Sequence, residues 1–212
     1  MSVFRYPKLL HKRTETPPLY KSYASYKPFL QREFKRTCVY CQAVDTVAPS
    51  VVFGVDHYRP KSKFPAEATE YKNLFYCCSQ CNSRKNNHWP FPEFVDTQTI
   101  PNPCAHVMTK HLRFRGAVVE AQSACGTFTL KLLDLNDPQV VQFREHMIHM
   151  VDVLLREYQH VEELLEELGR KEARGKLSSD EASDYRQAIA EELGKIETSL
   201  SLYYGTLPLS AN

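Results

Sequence analysis

The sequence predicts an α+β fold in which a short unit of two strands and a helix surrounds a four-cysteine metal site, with helices before and after it. Three observations predict it. Two Cys-x-x-Cys pairs, Cys38/Cys41 and Cys78/Cys81, close a loop with the spacing of a structural zinc site. Between them lie two short runs rich in β-branched and aromatic residues, 51–55 and 74–76. Beyond residue 137, apolar residues recur at helical spacing over most of the remaining chain.

Residues 1–37 read as a basic N-terminal arm and a helix. Pro7, Pro17 and Pro18 with little periodicity predict an extended arm over 1–19. Tyr23, Tyr26, Leu30 and Phe34 then fall near helical spacing, and Pro28 either opens a second helix in its first turn or kinks one. This helix would pack on the zinc unit, and Arg32, Lys35 and Arg36 would add phosphate contacts.

Residues 38–90 form the central unit. Cys38–Cys41 is a knuckle, followed by a loop with Pro49. Val51, Val52, Phe53 and Val55 predict a strand that delivers Asp56 and His57 at its end. Arg59, Lys61 and Lys63 lie on a basic loop stiffened by Pro60. Leu74, Phe75 and Tyr76 predict a second strand, and the helix runs from Cys78 to about Asn87, capped by Ser79 and ended by Trp89-Pro90.

Residues 91–135 are loop-rich, with PNPC at 101–104 and a β-hairpin turning at Gly116; the stretch FTLKLLDL leads into the next helix. Residues 136–212 read as an antiparallel helical hairpin. Asn136-Asp137-Pro138 starts its first helix, which runs to about Gly169 before a polar turn. Ser178 and Glu181 fit a capping box that opens the second, with Ala182, Tyr185, Ile189, Leu193, Ile196, Leu200 and Tyr203 on one face.

The net charge of +2 over 212 residues conceals a gradient. Residues 1–37 carry nine basic side chains against two acidic ones, whereas 136–212 carry eight against fifteen. One end is suited to approach a polyanion, and the other would be repelled by it unless turned away or covered. Seven cysteines beside an opening MSVFRYPKLLHKR, which lacks an apolar core, predict a reducing, cytoplasmic setting and thiolate ligands rather than disulfides. No window reaches membrane-spanning length. Cys77 abuts Cys78 and is an alternative ligand, but the two-residue spacing to Cys81 favours Cys78.

The order Cys-x-x-Cys, Asp56-His57, Asn73, Cys-x-x-Cys-Asn82-x-x-Lys85 resembles the HNH endonucleases, whose motif is a ββα-metal fold. The wider chain resembles the small HNH proteins of retron and Septu-type phage-defence systems. That likeness rests on the aromatic N-terminal segment, DHYRPKS, NLFYCCSQCN, the PNP segment and LLDLNDPQVVQFR, and it thins beyond about residue 160. The last position of the motif is Asn82 here, not histidine.

The resemblance implies a metal-dependent DNA endonuclease that leaves a 3′ hydroxyl and acts beside an ATPase partner. It implies a structural Zn²⁺ on Cys38, Cys41, Cys78 and Cys81, and a catalytic Mg²⁺ or Mn²⁺ held by Asp56 and Asn82, which Asn86 or His88 could join. An unmetallated imidazole titrates near working pH, so His57 is the expected general base. Asn73 would hold the loop and orient His57, as the middle Asn does in the family. Arg59, Lys61, Lys63, Arg84 and Lys85 are the expected phosphate and DNA contacts. Nothing in the sequence excludes RNA as the substrate. A non-catalytic zinc module that binds nucleic acid or protein is the rival reading. It needs the cysteines and basic residues but has no use for Asp56-His57, whose presence favours the enzyme.

Overall fold

The computed structural model describes residues 3–47 and 51–206, so the loop position Pro49 lies outside the described residues. The chain divides into two compact units, 1–145 and 146–212. The first is α+β. Its helices are α1 (Lys27–Glu33), α2 (Ser79–Lys85), α3 (Val95–Gln98) and α4 (Ala124–Leu132), with the start of α5 (Pro138–Ala173). Its strands are β1 (Phe53–His57), β2 (Leu74–Cys78), β3 (Leu112–Arg115) and β4 (Val118–Ala121). Among the described residues, no helix is long and apolar enough to cross a membrane.

β1 and β2 pair antiparallel, with Phe53 opposite Cys78, Val55 opposite Tyr76 and His57 opposite Leu74. Two strands of this length are marginal alone and need a partner layer. Tyr26 and Leu30 at the N-terminal side, with Leu74, Phe75 and Tyr76, supply that buried layer. Truncating a side chain such as Leu30 or Leu74 to alanine would cost about 2–5 kcal/mol. Pro28 opens α1 in its first turn, directly after a 3-10 turn at Tyr23–Tyr26, so it starts a helix rather than kinking one.

The N-terminal arm has no regular structure, as its prolines imply, but it does not hang free. Phe4 and Tyr6 are buried, and the Tyr6 hydroxyl donates to the Tyr40 carbonyl at 2.7 Å. The buried Glu33 carboxylate accepts from the backbone amides of Thr14 and Glu15, each at 2.9 Å, and pairs with His11 at 2.8 Å. Arg13 donates to the Leu74 carbonyl, and its guanidinium lies 4.6–5.0 Å from the rings of Phe34, Tyr71 and Phe75. Arg32 pairs with Glu15 and Arg36 with Asp45. Several charges that made this end look like a polyanion-binding arm therefore hold the arm to α1 and β2.

The expected hairpin forms, with Leu112 opposite Ala121 and Arg115 opposite Val118 around Gly116 at φ 60°. The helix after it, α4, was not anticipated over 124–132, because Gly126, Thr127 and Thr129 are poor helix formers. Tertiary packing decides instead. Ser123 caps the helix by accepting from the Gly126 amide, and a Cβ at Gly126 would stand 1.9 Å from the His111 carbonyl oxygen. Gly126→Ala must therefore push two backbone segments apart. The expected cost is ~3 kcal/mol or more, which lowers the melting temperature of a chain this size by roughly 6–12 °C. A circular-dichroism melt of the variant that matched the parent would contradict the close approach.

Asp137 and Pro138 start α5 as the sequence predicts. The Asp137 carboxylate accepts from the amide of Gln139 at 2.9 Å, and Pro138 takes the first helical position. The helix continues to Ala173, past the expected stop at Gly169, and the polar turn shrinks accordingly. Arg144, 1% exposed, donates to the Ala117 and Leu135 carbonyls and ties this start to the hairpin.

The second unit is helical. It holds the rest of α5 and α6 (Ser179–Tyr204), which Ser178 and Glu181 open with a complete capping box. Tyr158 bonds Glu197 at 3.4 Å, and Glu172 pairs with Arg186 nearer the turn. Those two pairs run in opposite chain directions, so the helices are antiparallel. Val161, Leu168, Ala182 and Ile196 are buried along them.

Candidate active site and metal centre

The metal centre is assembled by a tight turn and a strand–helix junction. The Cys38 amide donates to the Ala43 carbonyl, and the Gln42 amide to the Cys38 carbonyl, closing the first knuckle. Gln42 sits in the left-handed region at φ 61°, and its side-chain amide donates to the Cys38 and Val39 carbonyls at 3.2 and 3.1 Å. The second knuckle turns from β2 into α2. Here the expected cap moves by one residue: Cys78, not Ser79, caps α2, its sulfur accepting from the Cys81 amide at 3.5 Å. α2 also stops at Lys85, where Asn86 turns left-handed at φ 49°, short of the expected Asn87.

The four sulfurs of Cys38, Cys41, Cys78 and Cys81 all lie within 4.8 Å of one another, and all four residues are buried. A tetrahedron around zinc with bonds of about 2.3 Å has sulfur–sulfur edges of about 3.8 Å; Cys41 and Cys78 are 3.7 Å apart. The donor set therefore fits zinc. Hydrogen bonds with Cys38 and its neighbours, and then burial, push the Cys41 and Cys81 thiols well up, whereas the bonds from the other cysteines hold Cys38 and Cys78 down against burial. A coordinated divalent cation removes that obstacle by deprotonating its thiols. Cys77 lies outside the four. Its thiol donates to the Cys78 carbonyl at 3.2 Å and stands 4.0 Å from the Cys38 sulfur.

Asp56 and His57 close β1, and neighbouring strand positions face opposite ways. The two side chains accordingly have separate surroundings. His57 is 8% exposed, and its ring Nε2 lies 2.9 Å from the Ala68 carbonyl. A carbonyl only accepts, so Nε2 carries the ring proton and Nδ1 keeps its lone pair. Burial pushes the imidazole below its usual value, against the opposing pull of the Ala68 bond, and so favours the neutral ring. Tyr23 packs edge-on to it, ring centroids 4.6 Å apart at 72°.

Asn73 pins the loop between the two strands. Its Oδ1 accepts from the Arg59 amide at 2.8 Å, and its Nδ2 donates to the Arg59 and Glu67 carbonyls at 3.0 and 3.2 Å. Ala68, whose carbonyl lies against the His57 ring, is next to Glu67 in that loop, so Asn73 and the His57 ring are bonded to the same stretch of backbone.

Asp56 is 2% exposed, with both oxygens engaged. Oδ2 accepts from the Tyr40 hydroxyl at 2.6 Å, and Oδ1 from the Lys85 ammonium at 3.0 Å. Lys85 is itself 1% exposed and also donates to the His57 carbonyl at 2.7 Å. Its place differs from the expectation of a phosphate contact: a buried carboxylate has drawn the ammonium inward. Arg84 differs likewise. It donates to the Leu133 and Asp134 carbonyls and pairs with Asp134 and Asp137, holding the end of α4. Asn82, three residues before Lys85 on α2, shares its helix face and is partly exposed, whereas Asn86 is exposed beyond the helix end.

The basic loop remains at the surface. Arg59 pairs with Glu67 at 2.6 Å and lies over the rings of Phe64 and Trp89. Lys61 is exposed with its ammonium 4.8 Å from the Tyr23 ring centroid, and Lys63 is exposed.

Residues 38–88 match the HNH endonuclease family. The match covers the two knuckles, the Asp56-His57 strand end, Asn73 and Asn82. The chain is also similar to the Septu protein PtuB of Bacillus thuringiensis, with 26% identity over 98 residues. That alignment spans 46% of this chain and 37% of the relative's length. The HNH region's sulfur cluster and its strand–helix junction agree with the predicted α+β class.

Tyr40 and Tyr23 were not singled out from the sequence. Tyr40 lies inside the first Cys-x-x-Cys, and nothing in that spacing says its hydroxyl reaches Asp56. Tyr23 was read as one apolar position of a helical stripe, and only the packing of the Tyr23–Tyr26 turn brings it to His57.

Proposed function

We propose that this protein is a metal-dependent HNH-type endonuclease that hydrolyses phosphodiester bonds in DNA as part of a phage-defence system. The observation that carries the reading is His57: an imidazole within the HNH match, pushed below its usual value by burial, its Nε2 committed to Ala68 so that the ring lone pair falls on Nδ1. In this role Nδ1 takes a proton from water as the water oxygen attacks phosphorus and the bond to the 3′ oxygen breaks. Asn73 and the Ala68 carbonyl keep the ring in the tautomer this requires.

Asp56 and Asn82 are the residues that would hold Mg²⁺ or Mn²⁺; the donor chemistry fits, since Asp56 already presents a buried oxygen to a cation. Such an ion supplies Lewis-acid charge to the phosphoryl and leaving oxygens. Arg59, Lys61 and Lys63 on the exposed loop supply positive charge toward a nucleic-acid backbone. Zinc at Cys38, Cys41, Cys78 and Cys81 is structural in this reading, since four protein ligands leave no open position. Likeness to a Septu protein supports a protein partner, which we take to be an ATPase of the same defence system working in the cytoplasm.

The test is incubation of the purified chain, alone and with its co-expressed genomic neighbour, with supercoiled plasmid, single-stranded DNA and RNA, with and without Mg²⁺ or Mn²⁺. Metal-dependent nicking or linearisation of the plasmid is expected. Cleavage of RNA alone would change the substrate. Binding without cleavage in every arm would favour the non-catalytic module.

A further inference from the structure

The cation position at Asp56 is already taken. Its carboxylate is buried, and the charge facing Oδ1 at 3.0 Å is the Lys85 ammonium, equally buried and further held by the His57 carbonyl. A buried ammonium is tolerated because a carboxylate pairs with it, and removing either partner strands the other. A divalent ion bound through Oδ1 would stand against that ammonium in a buried site, where solvent screens the repulsion little. The two cations exclude each other.

We propose that Lys85 is an internal counter-cation, which fills the Asp56 cation position in the ion-free protein and has to leave before the catalytic metal binds; the proposal rests on the nuclease reading above. Lys85 is the last residue of α2, and the chain turns sharply at Asn86 into exposed residues, so its four-carbon stem ends at a helix terminus rather than mid-helix. Three consequences follow. The strand end stays fixed without metal, because Tyr40 and Lys85 hold both Asp56 oxygens. Metal affinity is reduced by the fraction of time Lys85 occupies the site. Metal arrival also frees an ammonium beside the base, where a substrate phosphate can take it up. Lys85 then serves the phosphate only in the metal-loaded state.

The experiment follows Mn²⁺ binding by calorimetry and thermal shift, apart from any cleavage. Lys85→Met keeps the volume and removes the charge. Its ion-free form is expected to melt lower than the parent, since Asp56 loses its partner, and to be raised more by Mn²⁺. Its Kd for Mn²⁺ should be at least about tenfold tighter. The double variant Asp56→Asn/Lys85→Met should show neither effect. Equal Mn²⁺ affinity in parent and Lys85→Met overturns the proposal.

Should Lys85→Met fail to fold, the unmutated chain answers alone. Amine acetylation read by mass spectrometry should leave Lys85 protected without ions and expose it with saturating Mn²⁺, using the exposed Lys63 as internal reference. Protection unchanged by saturating Mn²⁺ overturns the proposal as well. Metal-dependent cleavage without binding at Asp56 overturns it while sparing the nuclease reading. Competition as expected, with no nucleic acid cleaved, sustains it and removes that reading.

Discussion

His57→Ala is expected to lose about 10²–10⁴-fold in cleavage rate, the range a positioned general base contributes, while the protein stays folded. Among the described residues, the ring's hydrogen bond is to the Ala68 carbonyl, and it packs against the edge of Tyr23. Neither belongs to the buried layer formed by Leu30, Leu74, Phe75 and Tyr76. The expected change in melting temperature is therefore a few degrees, as for ordinary substitutions of about 1 kcal/mol. Plasmid nicking at saturating Mn²⁺, beside a melt of the same sample, separates the two effects. Because Asp56 is held by Tyr40 and Lys85 and not by His57, the metal site should survive, and Mn²⁺ affinity should stay at the parent value. Near-normal turnover in His57→Ala would mean another group takes the proton.

What the sequence revealed and what it hid divide along a physical line. Features set by local spacing were legible. Two knuckles with fixed spacing converge their sulfurs whatever lies between them, and β-branched runs with a following Cys-x-x-Cys dictate the strand–helix junction. Ser178 with Glu181, and Asp137 with Pro138, opened helices where they were expected to. Hidden features depend on long-range partners. Lys85 and Arg84 look like surface cations on a short basic helix, yet one is neutralised by a carboxylate 29 residues away and the other by carbonyls and carboxylates about 50 residues away. The N-terminal segment reads as an extended basic arm, and its anchoring is hidden for the same reason: Glu33, which holds it, follows on α1. Helix α4 was hidden because Gly126 lowers local propensity while serving a close approach to His111.

Loss of the zinc ion is expected to unfold the 38–88 region outright. Structural zinc contributes an apparent ~10–16 kcal/mol in small zinc modules, as large as the whole ~5–15 kcal/mol that keeps a domain folded. In this chain the ion would join residue 38 to residue 81 across the β1–β2 pair and fix the start of α2. Withdrawing it would leave four buried cysteine side chains packed against one another in the core, with the Cys41 and Cys81 thiols pushed well up. Chelation should therefore release one zinc per chain, measured colorimetrically, in step with loss of circular dichroism. Cys81→Ser should give aggregated or unfolded protein. Cys77→Ser is the discriminating control: its thiol donates to the Cys78 carbonyl, a bond serine can make, and its other contact, with the Cys38 sulfur, is long at 4.0 Å, so that variant should keep its zinc and its melt. A soluble, normally melting Cys81→Ser that still cuts DNA would refute the four-cysteine assignment, and loss of zinc in Cys77→Ser would shift one ligand to Cys77.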